Sequence, residues 1–431
     1  MTLGRIRYFW SKPELIYLDK YAYTCVLLMT HLIYSTASTT FGPTFVDLTY
    51  TLDAPMKIIS LFPTVVSVGN ILGTLFGLVF KYVNRQLTLI CLLLLMAISS
   101  TIIPFTRQVW QLFICAFFFG IGSGAWITAY NVWLIEMWQD NSGKILFLSQ
   151  VMYGIGSVLG PLIDSSYVTG DQNRTDTTLA IISEEDRRQK LAIPYMISGG
   201  IQIIFPTIML IMFFTRKYEN KVKNLEPTRD QGSRTKLFNR CLFKRRLLYI
   251  ALIAVCLSAI NSLDLIYFNF LAPYLTYIPA HLSASRAAEL SSALGTAYTV
   301  GQAVNFFVAM FISEKIMIFY HLLITILSIV GLFFVQNSEL GIWVLTITVG
   351  FGFSLLYPGI LSFTGRYIEI TNRIGTVFWF SCGAVQFIPP IILGQFIEDK
   401  PDAFIIIQII QLLIGLIAFI IIFNSFCKML L

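Results

Sequence analysis

Charge is what this chain has least of. Only 12% of its 431 residues are Asp, Glu, Lys or Arg, against 56% hydrophobic residues and a mean hydropathy of +0.74. A soluble globular chain runs closer to about 25% charged, so most of this surface must face hydrocarbon. Histidine is scarce as well, with three in all, and the seven Cys stand singly with no CxxC pair. Five of these, Cys25, Cys91, Cys115, Cys256 and Cys382, fall inside apolar runs, where Cys acts as a small hydrophobe. With no His/Cys cluster at ligand spacing, neither a metal site nor a resident cofactor is expected. No nucleophile–base set stands out, which argues against an enzyme. The N-terminus lacks the short apolar core and small-residue cleavage site of a signal peptide, so the first apolar segment is expected to remain.

What is abundant is long apolar sequence. Crossing about 30 Å of hydrocarbon takes roughly 20 residues, and twelve segments qualify: about 21–46, 56–80, 87–105, 109–137, 144–164, 193–214, 247–278, 287–312, 316–336, 340–365, 374–396 and 403–427. The longest polar interval, 215–246, carries eleven Lys or Arg. The formal net charge of +7 therefore lies between apolar runs rather than on one soluble face, and no nucleic-acid partner is expected. With the N-terminus cytoplasmic, that side collects 22 Lys and Arg against 8 on the other, which sets the orientation by the positive-inside rule. The same orientation puts the glycosylation triplet Asn173-Arg174-Thr175 outside. The division expected is a cytoplasmic N-terminus (1–20), a first block (21–214), a basic cytoplasmic connector (215–246) and a second block (247–427). Membrane lipid is the surrounding partner, and the chain is expected to be a monomer.

The two blocks repeat at an offset near 230. Ser67-Val68-Gly69-Asn70 returns as Thr299-Val300-Gly301-Gln302, and Gly120-Ile121-Gly122 as Gly350-Phe351-Gly352. Gly154 and Pro161 match Gly383 and Pro390, and Pro43 matches Pro273. The fold class expected is an all-α polytopic membrane protein of twelve transmembrane helices in two pseudo-symmetric six-helix halves. Parallel repeats of this kind place a substrate pathway at their interface near the bilayer midplane.

Asp264 lies in the middle of the seventh segment, where a carboxylate costs at least about 2.5–3.5 kcal/mol on insertion scales. It is the leading candidate for a coupling-ion or proton site. The repeat sets Tyr34 at the position equivalent to Asp264, one turn beyond His31, and these three make the candidate coupling set. Around them stand amides and aromatics suited to an uncharged polyhydroxyl ligand: Asn70, Trp126, Asn131, Gln150, Tyr153, Tyr267, Asn269, Tyr298, Gln302, Asn305, Tyr357, Trp379 and Gln386. Amides donate to and accept from sugar hydroxyls, and aromatic faces cover the apolar side of a pyranose. No Lys or Arg is evident within a span, which argues against an anionic solute. The glycines of the fourth and fifth segments, Gly120, Gly122, Gly124, Gly154, Gly156 and Gly160, read as close-packing sites rather than a nucleotide loop.

This pattern resembles the major facilitator superfamily. Gly73, Gly77, Lys81 and Arg85, after the second segment, are similar to its glycine-and-basic loop, although Lys81 stands where that loop usually has Asp. The resemblance makes these four the inner hinge between the second and third helices. Finer marks resemble the sodium-dependent glucose transporter-like branch, also described as major facilitator domain-containing 4. They are Gly42-Pro43-Thr44-Phe45-Val46-Asp47-Leu48, Val79-Phe80-Lys81, Asn131-Val132-Trp133-Leu134, Gly160-Pro161-Leu162-Ile163 and Tyr357-Pro358. Asp264 replaces what is often Glu, and Phe268 stands where Gly is common. The resemblance implies sugar uptake coupled to sodium, so a hexose moved with sodium or protons at a plasma membrane is the expectation. A non-transporting scaffold or trafficking adaptor of the same fold is the alternative.

Overall fold

The computed structural model describes residues 13–76, 83–139, 142–171, 182–215, 238–365, 368 and 372–430. Among them the secondary structure is helical. The helices are α1 (Pro13–Thr51), α2 (Phe62–Thr74, led in by the short turn Met56–Ile59), α3 (Arg85–Ile102), α4 (Val109–Trp138), α5 (Ser142–Asp164) and α6 (Glu184–Thr215). The second set is α7 (Phe238–Tyr277), α8 (Ala284–Val308), α9 (Glu314–Phe334), α10 (Glu339–Gly365), α11 (Asn372–Gln386, continued as Ile388–Phe396) and α12 (Asp402–Leu430). Ten described stretches are long and apolar enough to cross a membrane. The two helices outside that group are α1 and α8, both rich in Ser and Thr.

Those hydroxyls are absorbed locally. In α1, Thr30, Thr36, Ser38, Thr39, Thr40, Thr44, Thr49 and Thr51 each donate to a carbonyl three or four residues back. The side chain thus satisfies itself without water, which is how a polar helix survives in hydrocarbon. Helix ends are set by ordinary signals. The Asn84 side chain accepts from the Gln86 and Leu87 amides to start α3, and Ser283 accepts from Arg286 to start α8. Glu184, Glu185 and Asp186 sit in the first turn of α6, where the helix dipole favours negative charge.

Within the first set, α4 lies against α2 and α3, and α1 against α5 and α6. The glycines decide how close α2 and α4 come. A Cβ on Gly69 would stand 2.3 Å from Phe117 O, and one on Gly120 2.2 Å from Val66 O. Backbone therefore meets backbone, and no larger residue fits. Within the second set, α10 packs on α8 and α9, and α7 on α11 and α12. The two sets meet along α1 with α7, α5 with α8, and α2 with α11. Each seam is tight at the expected outer end. A Cβ on Gly42 would lie 2.7 Å from Phe268 O, one on Gly295 2.8 Å from Ser157 O, and one on Gly394 against the Ser60 hydroxyl.

Helix limits differ from the apolar segments in one direction. Helix α6 begins at Glu184 rather than 193, and α1 and α7 begin at Pro13 and Phe238. Backbone bonding continues past the hydrocarbon into charged sequence, which hydropathy does not register.

Candidate functional site

The seam between the halves gathers most of the polar candidates. Helix α1 supplies His31 and Tyr34, and α4 supplies Trp126. Their rings pack at 5.1 Å (Tyr34–Trp126), 5.5 Å (His31–Trp126) and 6.3 Å (His31–Tyr34). Tyr130 and Tyr153 close the box, 5.2 and 5.4 Å from the His31 ring. His31 is only 3% exposed, and its Nδ1 lies 2.8 Å from Ser149 Oγ, which also accepts from the Tyr130 hydroxyl at 2.8 Å. The consistent assignment runs Tyr130 to Ser149 to His31, leaving Nε2–H as the imidazole donor.

Tyr153 of α5 links this box to Asp264 of α7, since its hydroxyl is within electrostatic reach of both Tyr34 and Asp264. Tyr153 thus packs on His31 and has both Tyr34 and Asp264 within electrostatic reach. On the other side Tyr298 of α8 lies within reach of Asp264, Tyr153 and Tyr357, with the Gln302 amide beside its hydroxyl. Tyr357 of α10 and Trp379 of α11 pair at 6.0 Å. Phe268 packs edge-on to Tyr298 at 6.0 Å, so the bulky residue at that position narrows the space beside Asp264.

Several polar atoms here are buried with no bond: Asp264 Oδ1, the Trp126 indole nitrogen and both ends of the Gln302 amide. They come from α7, α4 and α8, and hence from both halves. Unbonded buried atoms occur elsewhere in the molecule too, but here four from both halves stand together among aromatic walls, and convergent polar groups on an apolar lining are the make-up of a polar-ligand site.

Other candidates sit elsewhere. Tyr267 is fully buried inside the second half, its ring 5.3 Å from Phe353 and 5.2 Å from Phe404. Asn305 is consumed in a network: its Nδ2 donates to Ser354 Oγ (2.8 Å), and its Oδ1 takes His321 Nε2 (3.0 Å) and the Tyr320 hydroxyl (3.3 Å). Asn269 turns its amide to Leu265 O at 2.7 Å, on its own helix. Asn70 faces α4, with Oδ1 where a Cβ on Gly124 would stand. These four have packing or bonding roles that sequence position alone does not separate from lining the seam. Asn131, Gln150 and Gln386 lie on α4, α5 and α11, half-buried for the first two and buried for the third. In the loop set, Gly73 is pressed to Ile121 O (2.3 Å to a built Cβ) and Arg85 opens α3, while Gly77 and Lys81 fall outside the described residues. So do Asn173 and residues 216–237 of the basic connector.

The model of the Major Facilitator Superfamily matches residues 27–390. The chain belongs to the major facilitator superfamily. Its curated relatives fall in the branch that the motifs resemble. It is 22% identical over 373 residues to "Sodium-dependent glucose transporter 1" of Danio rerio, which covers 82% of this chain and 60% of that protein's length. It is 22% identical over 379 residues to "Sodium-dependent glucose transporter 1A" of Mus musculus, 84% and 86% of the two chains. "Major facilitator superfamily domain-containing protein 4A" of Xenopus tropicalis is 20% identical over 415 residues, 83% and 82%. Among solved structures, a bacterial homologue of the lysosomal transporter Spinster, inward-facing and unoccupied, superposes with a TM-score of 0.68 at 12% identity, covering 96% and 97%. The E. coli xylose transporter XylE, partially occluded and inward-open, gives 0.68 at 12% identity, covering 92% and 98%. These structures carry the superfamily fold; the site residues are this chain's own.

A second polar cluster, at the expected outer end, escapes sequence reasoning. Asp47 accepts from Arg187 and from the Thr169 hydroxyl, and from the Thr169 and Gly170 amides at 2.9 and 3.1 Å. Arg187 is 1% exposed, donates also to Gly170 O (2.6 Å), and lies over the Tyr50 ring at 4.3 Å. Arg188 reaches Thr51 O (2.7 Å) and Thr106 O, tying α1 and the end of α3 to α6. Arg187 and Arg188 fall between the apolar segments 144–164 and 193–214, yet both are buried donors that gather carbonyl and carboxylate oxygens. The signal available was the pairing of two Arg with an Asp at the end of the first segment.

Proposed function

We propose that this chain is a secondary active transporter that moves a small polar organic solute, a hexose such as glucose, by alternating access with sodium or proton coupling. The observation that carries the reading is the set of unbonded buried atoms, Asp264 Oδ1, Trp126 Nε1 and the Gln302 amide, around an aromatic-walled seam between the halves. Unpaired amide and indole groups suit a solute with many hydroxyls. An unpaired carboxylate in the seventh helix suits a transported cation, which is cargo rather than a resident cofactor. The names of the relatives, glucose transporters described as sodium-dependent, point the same way.

In this reading Asp264 takes the coupling ion, His31 Nε2–H and Tyr34 face it through Tyr153, and Tyr298, Gln302, Tyr357 and Trp379 hold the solute. The basic 215–246 segment joins the halves on the cytoplasmic side, both termini lie there, and Asn173 carries glycan outside at the plasma membrane. The protein works as a monomer.

The test is uptake into proteoliposomes of a labelled panel of hexoses, pentoses, nucleosides and organic anions, under a sodium gradient, a proton gradient or neither. Gradient-driven accumulation of a neutral polyol supports the reading. Accumulation of organic anions alone, or of nothing in the panel, overturns it.

A further inference from the structure

The first half holds an acid that the transport site does not use. Asp164 ends α5, is 0% exposed, and neither carboxyl oxygen has a hydrogen-bond partner. The neighbouring hydroxyls have little left to give. Thr40, the hydroxyl beside it, donates to Thr36 O at 3.1 Å. Thr44 donates to the Thr40 and Phe41 carbonyls at 3.0 and 2.9 Å, so Tyr195 must spend its hydrogen on Thr44 at 2.8 Å. Asp164 therefore has at most the Thr40 hydrogen, shared with Thr36 O, within reach. A carboxylate there has little compensation, and a hard cation would need about six oxygens gathered around it.

We infer that Asp164 is a proton-binding site, separate from the transport site, that governs the outer latch between the halves. The link is short. Backbone Asp164 O accepts from Tyr167 and Val168 at 2.8 and 3.0 Å, and the next two residues are those gripped by Asp47 and Arg187. That same segment meets the second half: Val168 packs with Ala284 and Ala288, and a Cβ on Gly170 would stand 2.8 Å from Ala284 Cβ. Tyr195 lies in electrostatic reach of both Asp164 and Asp47. Arg187 keeps an unused Nη2.

With its proton, Asp164 is neutral and Arg187 serves Asp47 alone. Losing the proton sets a second buried carboxylate within electrostatic reach of Tyr195, whose other acid neighbour is Asp47, and the added negative charge competes with Asp47 for the field of Arg187. The grip on Gly170 weakens and the segment lifts from α8. The charged and titratable groups around Asp164 are few. Asp47 on α1 and Asp164 share Tyr195 of α6 as a neighbour, Tyr167 bonds the Asp164 carbonyl, and Arg187 pairs with Asp47; on α8, which packs on α5, Arg286 and Glu289 bond each other at 2.8 Å.

The inference uses the orientation of the preceding subsection, and two readouts keep the two apart. In the first, the carbonyl stretch of a protonated carboxyl is read by infrared difference between Asp264→Asn and the Asp164→Asn/Asp264→Asn pair near neutral pH. A band lost with Asp164 is expected. Its absence, or its disappearance when sodium replaces choline, overturns the proton assignment whatever the orientation. In the second, Val168→Cys is labelled by a membrane-impermeant maleimide, normalised to Leu340→Cys to cancel thiol ionisation. Raising external pH from about 6 to about 8 should increase the ratio about tenfold. Asp164→Asn should hold it at the acidic level, and Asp264→Asn should leave the response intact. A response that survives Asp164→Asn, or that Asp264→Asn removes, overturns the latch. If Leu340→Cys labels only from the cytoplasmic side, the orientation is wrong and Val168→Cys is read from that side with the same criteria.

Discussion

Replacing Asp47 by Ala should cost more stability than replacing Arg187 by Met, although each removes one half of the same ion pair. Asp47→Ala leaves a guanidinium that is 1% exposed with Gly170 O as its remaining oxygen, and strips the Thr169 and Gly170 amides of their acceptor. Breaking a buried pair this way costs about 3–5 kcal/mol. Arg187→Met leaves Asp47 with the Thr169 amide, the Thr169 hydroxyl and the Gly170 amide, and three donors keep a carboxylate content. Met fills much of the vacated volume, so the loss should be about 1–3 kcal/mol. The gap of about 2 kcal/mol is roughly thirtyfold in the unfolding equilibrium. The double variant should be more stable than Asp47→Ala alone, because no orphan charge remains. Denaturant unfolding in detergent micelles, followed by tryptophan fluorescence, measures all three. Equal losses for the two single variants, or strict additivity in the double, would refute the reasoning.

Asp264→Asn should abolish ion-driven accumulation while leaving solute exchange; unchanged accumulation would remove Asp264 from coupling. Gln302→Ala should raise the KM for uptake at least fivefold, about 1 kcal/mol or more, whereas Asn305→Ala should leave KM alone and lower stability by about 1–3 kcal/mol, since its amide holds His321 and Ser354. Gly120→Ala should destabilise by about 1–3 kcal/mol, because its Cβ would lie 2.2 Å from Val66 O. Gly143→Ala, with nothing within 4 Å, should be neutral or stabilising by up to about 1 kcal/mol, and thermal unfolding of the pair checks both.

The helices and their number were legible because hydrocarbon imposes a length that apolar runs must meet, and the repeat at Asn70/Gln302 and Gly154/Gly383 gave the two halves. Asp264 stood out as a candidate because a lone carboxylate in an apolar run has few excuses, and the structure buries its Oδ1 without a hydrogen bond. The roles of Asn305 and Tyr267 were not. An amide on a membrane helix lines a cavity or joins two helices, and the choice depends on rotation about the helix axis. Sequence spacing fixes that rotation only within one helix. His321 passed unnoticed for a related reason: its partners, Gly352 O and Asn305 Oδ1, lie on other helices. Arg187 and Asp164 were hidden by their place at segment ends, where hydropathy reads charge as solvated. Burial there is made by the chain folding back over them.

The glycine contact of α2 with α4 bears on how this molecule can move. Gly69 and Gly73 face Phe117, Gly120 and Ile121 with backbone touching backbone, and Gly124 answers Asn70. The glycines recur every fourth position, so a slip of one, two or three residues drives a side chain into a carbonyl. The next permitted register is a full turn away, about 5.4 Å along the axis. Small sliding adjustments are thereby denied to this pair, and α2 and α4 travel as one rod. The compliance needed to open a path must come from the seams between the halves, where α1 meets α7 and α5 meets α8 at isolated glycine contacts (Gly42 on Phe268 O, Gly295 on Ser157 O) rather than at a comb repeated every fourth residue.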